Sequence, residues 1–320
     1  MGYEAVRARL NLSAVLPNLE DVVRYDPEAA KLIEGARVTI QFIVAGGPKA
    51  YVRIADGACT VADGMAPGVR PGRAAKGLPG AKPGRGAKGG PGAGGGAPGA
   101  GAASAGAGAD ASTGASPGAV GVASSTGADG SGGKEATVVL GFASCAHLNK
   151  MFDGKGNPIP LWGFTKLKFL TGAFTKLTER MAYFLKPTDE LLKDPDYLAL
   201  NTRLTLNTAA FAVPVLLAYD PDCKHLAHVL HGGSIGVRVL PDGPSVSLLL
   251  GPGAVRPVRG DVANPSGLIL MRDLQIAGAY LNGKLDTFSA AAKGEVQVWG
   301  QIGKIEAVGL VLDRVPKYLS

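Results

Sequence analysis

The feature that most constrains this chain is a stretch written twice. Residues 3–27 align with residues 197–221 without a gap. The alignment matches Tyr3 with Tyr197, Ala5 with Ala199, Arg9 with Arg203, Leu10 with Leu204 and Leu12 with Leu206, and it closes on Tyr25-Asp26-Pro27 against Tyr219-Asp220-Pro221. Matches spread over so long a register point to a duplicated unit, and a duplicated unit sets the architecture of everything between its copies. The correspondence continues with small gaps. Each copy follows the Asp-Pro with a short helical segment (28–34; 222–230) and an alternating apolar run, Val38, Ile40, Phe42, Val44 in one and Ile235, Val237, Val239 in the other. Farther on, Met151-Phe152-Asp153-Gly154-Lys155 answers Tyr280-Leu281-Asn282-Gly283-Lys284, and the tails 177–185 and 312–319 correspond. A chain of 320 residues holds two such units, each long enough to bury a core.

The copies differ by one insertion. Residues 65–134 consist almost wholly of Gly, Ala, Pro and Ser and carry nearly half of the 48 glycines. Such a segment cannot bury enough apolar surface to offset the entropy of ordering it, so it is expected to be a flexible loop. The second copy has only residues 260–266 at the same place, so the insert extends a loop within the first copy and does not join the two. The expected organisation is residues 1–64 plus 135–187, the insert 65–134, and residues 188–320.

Charge follows the same division. The formal net charge is +7, and most of it comes from Arg70, Arg73, Lys76, Lys82, Arg85, Lys88 and Lys134 in the insert, against Asp110 and Asp129. The folded part keeps no basic stripe and shows no reading element, which argues against nucleic acid. Cys59, Cys145 and Cys223 lack paired spacing, which fits free thiols in a reducing, cytoplasmic setting. The first residues mix charges into the apolar pattern, unlike a secretory signal, and the most apolar stretch, 208–218, is too short to span a bilayer.

Along the chain, residues 3–26 read as helix in two pieces split near Pro17, with Asn18 capping the second, and Asp26-Pro27 opens a short helix. Period-two runs predict strands at 37–44, 51–56 and 58–62 with turns at Gly46-Gly47 and Asp56-Gly57. Beyond the insert the expectation is a strand (136–142), a helix (143–152), a loop at 157–160, a strand carrying Phe164, Leu167 and Phe169 that ends at Gly172, and an amphipathic helix (174–185). The second copy reads as helices at 197–218 and 221–230, strands at 235–240, 246–250, 255–259, 268–272 and 295–300, and helices at 273–281 and 305–319.

This order resembles the sterol carrier protein type 2 family. The residues carrying the resemblance are Val52-Arg53-Ile54-Ala55-Asp56-Gly57, Phe152-Asp153-Gly154-Lys155 and the segment 163–172 in the first copy. In the second they are Leu281-Asn282-Gly283-Lys284 and the segment 293–300, Lys-Gly-Glu-Val-Gln-Val-Trp-Gly. The chain departs from the pattern in its insert, in the Pro-rich loop 158–162 and in its extra N-terminal helices. The resemblance implies an α+β protein of two tandem sterol-carrier-like domains, each a mostly antiparallel five-stranded sheet covered by helices, with an apolar cavity between the layers.

The function it implies is non-enzymatic binding and transfer or presentation of a hydrophobic small molecule or lipid: a fatty acyl chain, a sterol-like molecule or an isoprenoid. The alternative is an accessory or scaffold protein of a lipid or quinone pathway, whose basic insert recruits an acidic protein or a membrane surface. The cavity candidates are Ile40, Phe42, Leu148, Met151, Phe152, Phe164, Leu167, Phe169, Leu177 and Met181 in the first copy. Val237, Val239, Ile276, Leu281, Val296, Val298, Leu310 and Leu312 are their counterparts in the second; each residue read singly fits plain core better, and as a set they are where a ligand would be. Cofactor and metal are not expected: His225, His228 and His231 lack a further ligand at a zinc-site spacing. Cys145 and His147 are neighbours that point apart on a helix and match no nucleophile motif, so a catalytic role is not expected either.

Overall fold

The computed structural model describes residues 2–69 and 136–319. The elements run α1 (Tyr3–Leu10), a wide helical turn (Asn11–Val15), α2 (Asn18–Tyr25), α3 (Pro27–Leu32), β1 (Val38–Val44), β2 (Lys49–Ala55) and β3 (Ala58–Asp63). After the insert come β4 (Ala136–Phe142), α4 (Cys145–Phe152), β5 (Ile159–Trp162), helical turns over 164–174 and α5 (Thr175–Leu185). The second half is α6 (Pro195–Tyr219), a short helical turn (Lys224–His228), β6 (Ser234–Val239), β7 (Ser245–Gly251), β8 (Ala254–Arg259), β9 (Gly267–Met271), α7 (Leu274–Leu281), α8 (Thr287–Ala292), β10 (Val296–Gly300), α9 (Ile302–Leu312) and α10 (Val315–Leu319).

Among the described residues the strands form two five-stranded sheets, ordered β3-β2-β1-β4-β5 and β8-β7-β6-β9-β10. In each, only the pair on either side of the crossover, β1 with β4 and β6 with β9, is parallel. The two halves therefore share one topology, and the chain is an α+β protein of two mixed, mostly antiparallel sheets with helices. The Asp-Gly-Lys and Asn-Gly-Lys motifs have the same local cause: Gly154 (φ 70°) and Gly283 (φ 67°) follow the C-caps of α4 and α7 in the left-handed conformation that ends a helix.

Three local expectations need correction. Phe164, Leu167 and Phe169 lie in helical turns; the fifth strand is Ile159–Trp162, which pairs with β4 through Pro160 at the sheet edge. A proline is tolerated there because an edge strand leaves one row of N–H groups without a ladder partner. Asn18 does not cap α2; its amide donates to Thr208 Oγ1 at 2.7 Å, across to the other half. The closing helix begins at Ile302 and breaks at Asp313-Arg314, and α8 has no counterpart in the expectation. Pro214 sits inside the unbroken α6.

The start of the insert belongs to the fold. Gln41, fully buried on the outer face of β1, donates to the carbonyls of Ala50 (2.9 Å) and Gly64 (3.0 Å) and accepts from the Ala66 amide (2.7 Å). Ala66 and Val69 then cover Ile43 and Val139 on that face. The rest of the basic insert, with the partner or membrane contact expected of it, lies outside the described residues.

The repeated helices explain why the alignment tolerates no gap where they lie. From α1 and the turn after it, Ala8, Leu12 and Leu16 enter the first core, while Val6, Leu10 and Ala14 enter the second. From α6 the reverse holds: Leu200 and Leu204, which correspond to Val6 and Leu10, enter the first core, and Leu206 and Ala210, which correspond to Leu12 and Leu16, enter the second. Each helix thus serves its own half and the other reciprocally, as the two partners of an isologous interface do. The matched surface pairs repeat the pattern. Arg9 stacks over the Tyr219 ring at 4.0 Å and Arg203 over the Tyr25 ring at 4.2 Å. Tyr25 is 45% exposed, so Arg203→Ala should cost about 0.5–1 kcal/mol, read as a small drop in the thermal midpoint.

Candidate functional site

The site expected from the sequence lies between the helices and the inner face of each sheet. Corresponding positions follow from register. The β2–β3 hairpin pairs Ala55 with Ala58 and the β7–β8 hairpin pairs Gly251 with Ala254. Counting back through the ladders, Ile40 corresponds to Ile235, Phe42 to Val237, Leu140 to Ile269 and Phe142 to Met271. The same count brings Ser144 onto Asp273, and these two are the N-caps of α4 and α7: Ser144 accepts from the His147 amide and Asp273 from the Ile276 amide.

In the first half aromatic rings occupy the inner face beside the parallel pair, and the row is buried. Phe42 stacks on Phe142 with ring centroids 6.2 Å apart and planes at 3°, and Phe174 leans on Phe42 at 6.5 Å. Among the sequence candidates, Ile40, Phe42, Leu148 and Leu177 keep 1% or less of their surface, and Met181 is also buried in the same cluster. Met151, Phe152, Leu167 and Phe169 are half-buried on its rim, and Phe164 is exposed.

The second half is different. Its buried residues divide into two clusters, one against α6 and α9 and one beneath α7, and Val237 is in contact with both. Val237, Ile269 and Val298 stand in register across β6, β9 and β10 on the inner face. Val237 and Ile269 are only half-buried, and Val298 is 43% exposed. Ile276, Leu281 and Leu312 are half-buried, Leu310 is exposed, and Val239 and Val296 are buried. The Tyr280 hydroxyl on α7 is pushed up, by burial first and by the Asp313 carboxylate second. The contributions of Ile269, Phe142 and Phe174 were missed; the continuous apolar run from Leu268 to Met271 held the signal for Ile269.

His147 accepts from the Ala143 amide on Nδ1 (3.2 Å) and has Nε2 on the Asn157 carbonyl (2.9 Å), and burial raises the Cys145 thiol, which disfavours the nucleophilic thiolate. Among the described residues no three His, Cys, Asp or Glu side chains gather to hold a metal, and no helix is long and apolar enough to cross a membrane.

The described halves are thus α+β units with apolar side chains between a mixed sheet and its helices. No protein-family model and no curated protein sequence matches the chain. Among solved structures it is similar to a UbiJ-SCP2 ubiquinone synthesis protein, with 18% identity, TM-score 0.28, and 34% of this chain and 94% of that one covered. It is also similar to sterol carrier protein 2 from Yarrowia lipolytica in its apo form, with 14% identity, TM-score 0.26, and 32% and 92% covered. A third is a conserved hypothetical protein from Thermus thermophilus, described as possibly a sterol carrier protein, with 25% identity, TM-score 0.26, and 34% and 82% covered.

Proposed function

We propose that this protein binds a hydrophobic small molecule or lipid without catalysing a reaction on it, shielding the guest from water for transfer or presentation. The observation that carries the reading is the row Val237, Ile269 and Val298. Val237 and Ile269 are aliphatic side chains on the helix-covered face of a sheet that keep accessible surface where the first half buries Phe42 and Leu140, and Val298 continues the row onto the exposed edge strand. Covering such a surface with an apolar guest recovers about 25 cal/mol per Å2 removed from water. Shape and apolar lining then suffice for binding, and no nucleophile or acid/base pair is required. Organic extraction and native mass spectrometry of the purified chain should reveal co-purified lipid, and the protein should take up a fluorescent fatty acid saturably. A lipid-free preparation that takes up none would overturn the reading.

A further inference from the structure

We propose that the guest occupies the second half alone, one aliphatic chain per protein, and that the first half is closed by its own aromatic side chains. This rests on the carrier reading above. The two halves share topology and register, so corresponding positions can be compared directly. Phe42 becomes Val237, Phe142 becomes Met271, and Leu148 becomes Ala277, since the N-caps Ser144 and Asp273 set the register of α4 and α7. Phe174 becomes Val308, each six residues before the arginine that clamps its half's Asp-Pro turn.

Every one of these exchanges removes side-chain volume. A core that loses such volume without collapsing keeps a cavity. Val246 stands opposite Val237 where Ala50 stands opposite Phe42, but the volume it returns lies toward β7, away from the open edge. The difference shows in the exposure of the same inner row. Phe42 and Leu140 keep 1% and 3% of their surface, whereas Val237 and Ile269 are half-buried.

The first half also shows what suits the space, because there it is taken by apolar rings of the chain itself. In the second half the row is aliphatic throughout and runs out to Val298 on the edge strand β10. A slim chain can lie along it and leave its polar end in water at that edge, so Val237 is the residue that sets whether a guest fits.

The full chain titrated with cis-parinaric acid, with native mass spectrometry of hexadecanoate complexes alongside, tests this. Wild type should saturate at one ligand per chain. Val237→Phe, which imports the first half's residue, should weaken binding by about tenfold or more while its thermal midpoint holds or rises. Val298→Trp, on a half-exposed edge position that cannot disrupt the core, should weaken binding in the same direction. Two ligands per wild-type chain, or undiminished binding by both variants, would overturn the assignment to the second half and leave the carrier reading standing. A wild-type chain that binds neither ligand would remove both. A Val237→Phe chain that unfolds would show the space already filled, and would count against the assignment even where wild type binds.

Discussion

Leu10→Ala and Leu204→Ala should each destabilise the whole protein by about 2–5 kcal/mol, and each should do so by weakening the half to which it does not belong in sequence. Both side chains are fully buried; Leu10 lies in the core of the second sheet and Leu204 in that of the first. Truncating either removes transfer energy and leaves a cavity that packed neighbours close only partly. Because the two helices carry both cores, unfolding should remain one cooperative transition in urea. The chain supplies its own reporters, Trp162 in β5 and Trp299 in β10, one in each half. Fluorescence of Trp299→Phe then follows the first half and that of Trp162→Phe the second. The two curves should coincide in the wild-type background and move together to lower urea on Leu10→Ala. Separate transitions, with Leu10→Ala shifting only the Trp162 signal, would mean two domains that merely touch.

Much of this arrangement could be read before any coordinates. The gapless match of residues 3–27 with 197–221 announced the duplication, and the period-two runs located most of the strands. The exchange of helices was not legible, because Leu10 and Leu12 look alike in an amphipathic pattern although one faces each core. β5 was missed because Pro158 and Pro160 read as loop, and the edge position that tolerates Pro160 is a property of the sheet and not of the segment. The glycine that ends this strand was sought at Gly172. It is Gly163 (φ 88°), the counterpart of Gly300 (φ 84°); each carries a positive φ, and an added Cβ would collide with the backbone carbonyl of Thr137 or Ser266. The Trp162-Gly163 and Trp299-Gly300 pair was in the sequence, but only register makes the two correspond. The asymmetry of the cores was hidden for the same reason. Phe42 and Val237 could both be nominated as cavity lining, and only their placement at one position of a shared fold shows that one is buried where the other keeps accessible surface.

Asp220→Ala should cost about 3 kcal/mol and remove a titration that tunes the protein's acid limb. Asp220 is fully buried, where it accepts from the Asp222 amide (2.8 Å), the Tyr318 hydroxyl (3.0 Å) and Arg314 Nε (3.3 Å). Asp26 is bound in the same way in the first half, taking Arg180 Nε and Nη2 at 2.7 and 2.9 Å, so the repeated Asp-Pro is the anchor of each half's C-terminal helix. Removing the carboxylate strands a buried tyrosine hydroxyl. Arg314 keeps 28% of its side-chain surface and regains water, so the loss stays below that of a wholly buried broken pair. Burial alone would raise the Asp220 pKa, but the Asp222 amide, Tyr318 and Arg314 outweigh it and hold the pKa below the ordinary carboxylate value. A carboxylate depressed in the folded state contributes stability that is present above about pH 4 and lost as pH falls through the lower, folded value. Asp220→Asn should therefore flatten the fall in stability below about pH 4, measured as urea midpoints across an acid series. The same contact has an alkaline signature. Burial first, and then the bond to Asp220, push the Tyr318 hydroxyl up to about 12. A group raised in this way contributes stability that fades as pH climbs from about 10. Tyrosinate absorbance of the folded protein should thus contain a late-titrating component that moves to lower pH in the Asp220 variants. An unchanged ultraviolet titration in Asp220→Asn would show that the anchor acts through packing alone.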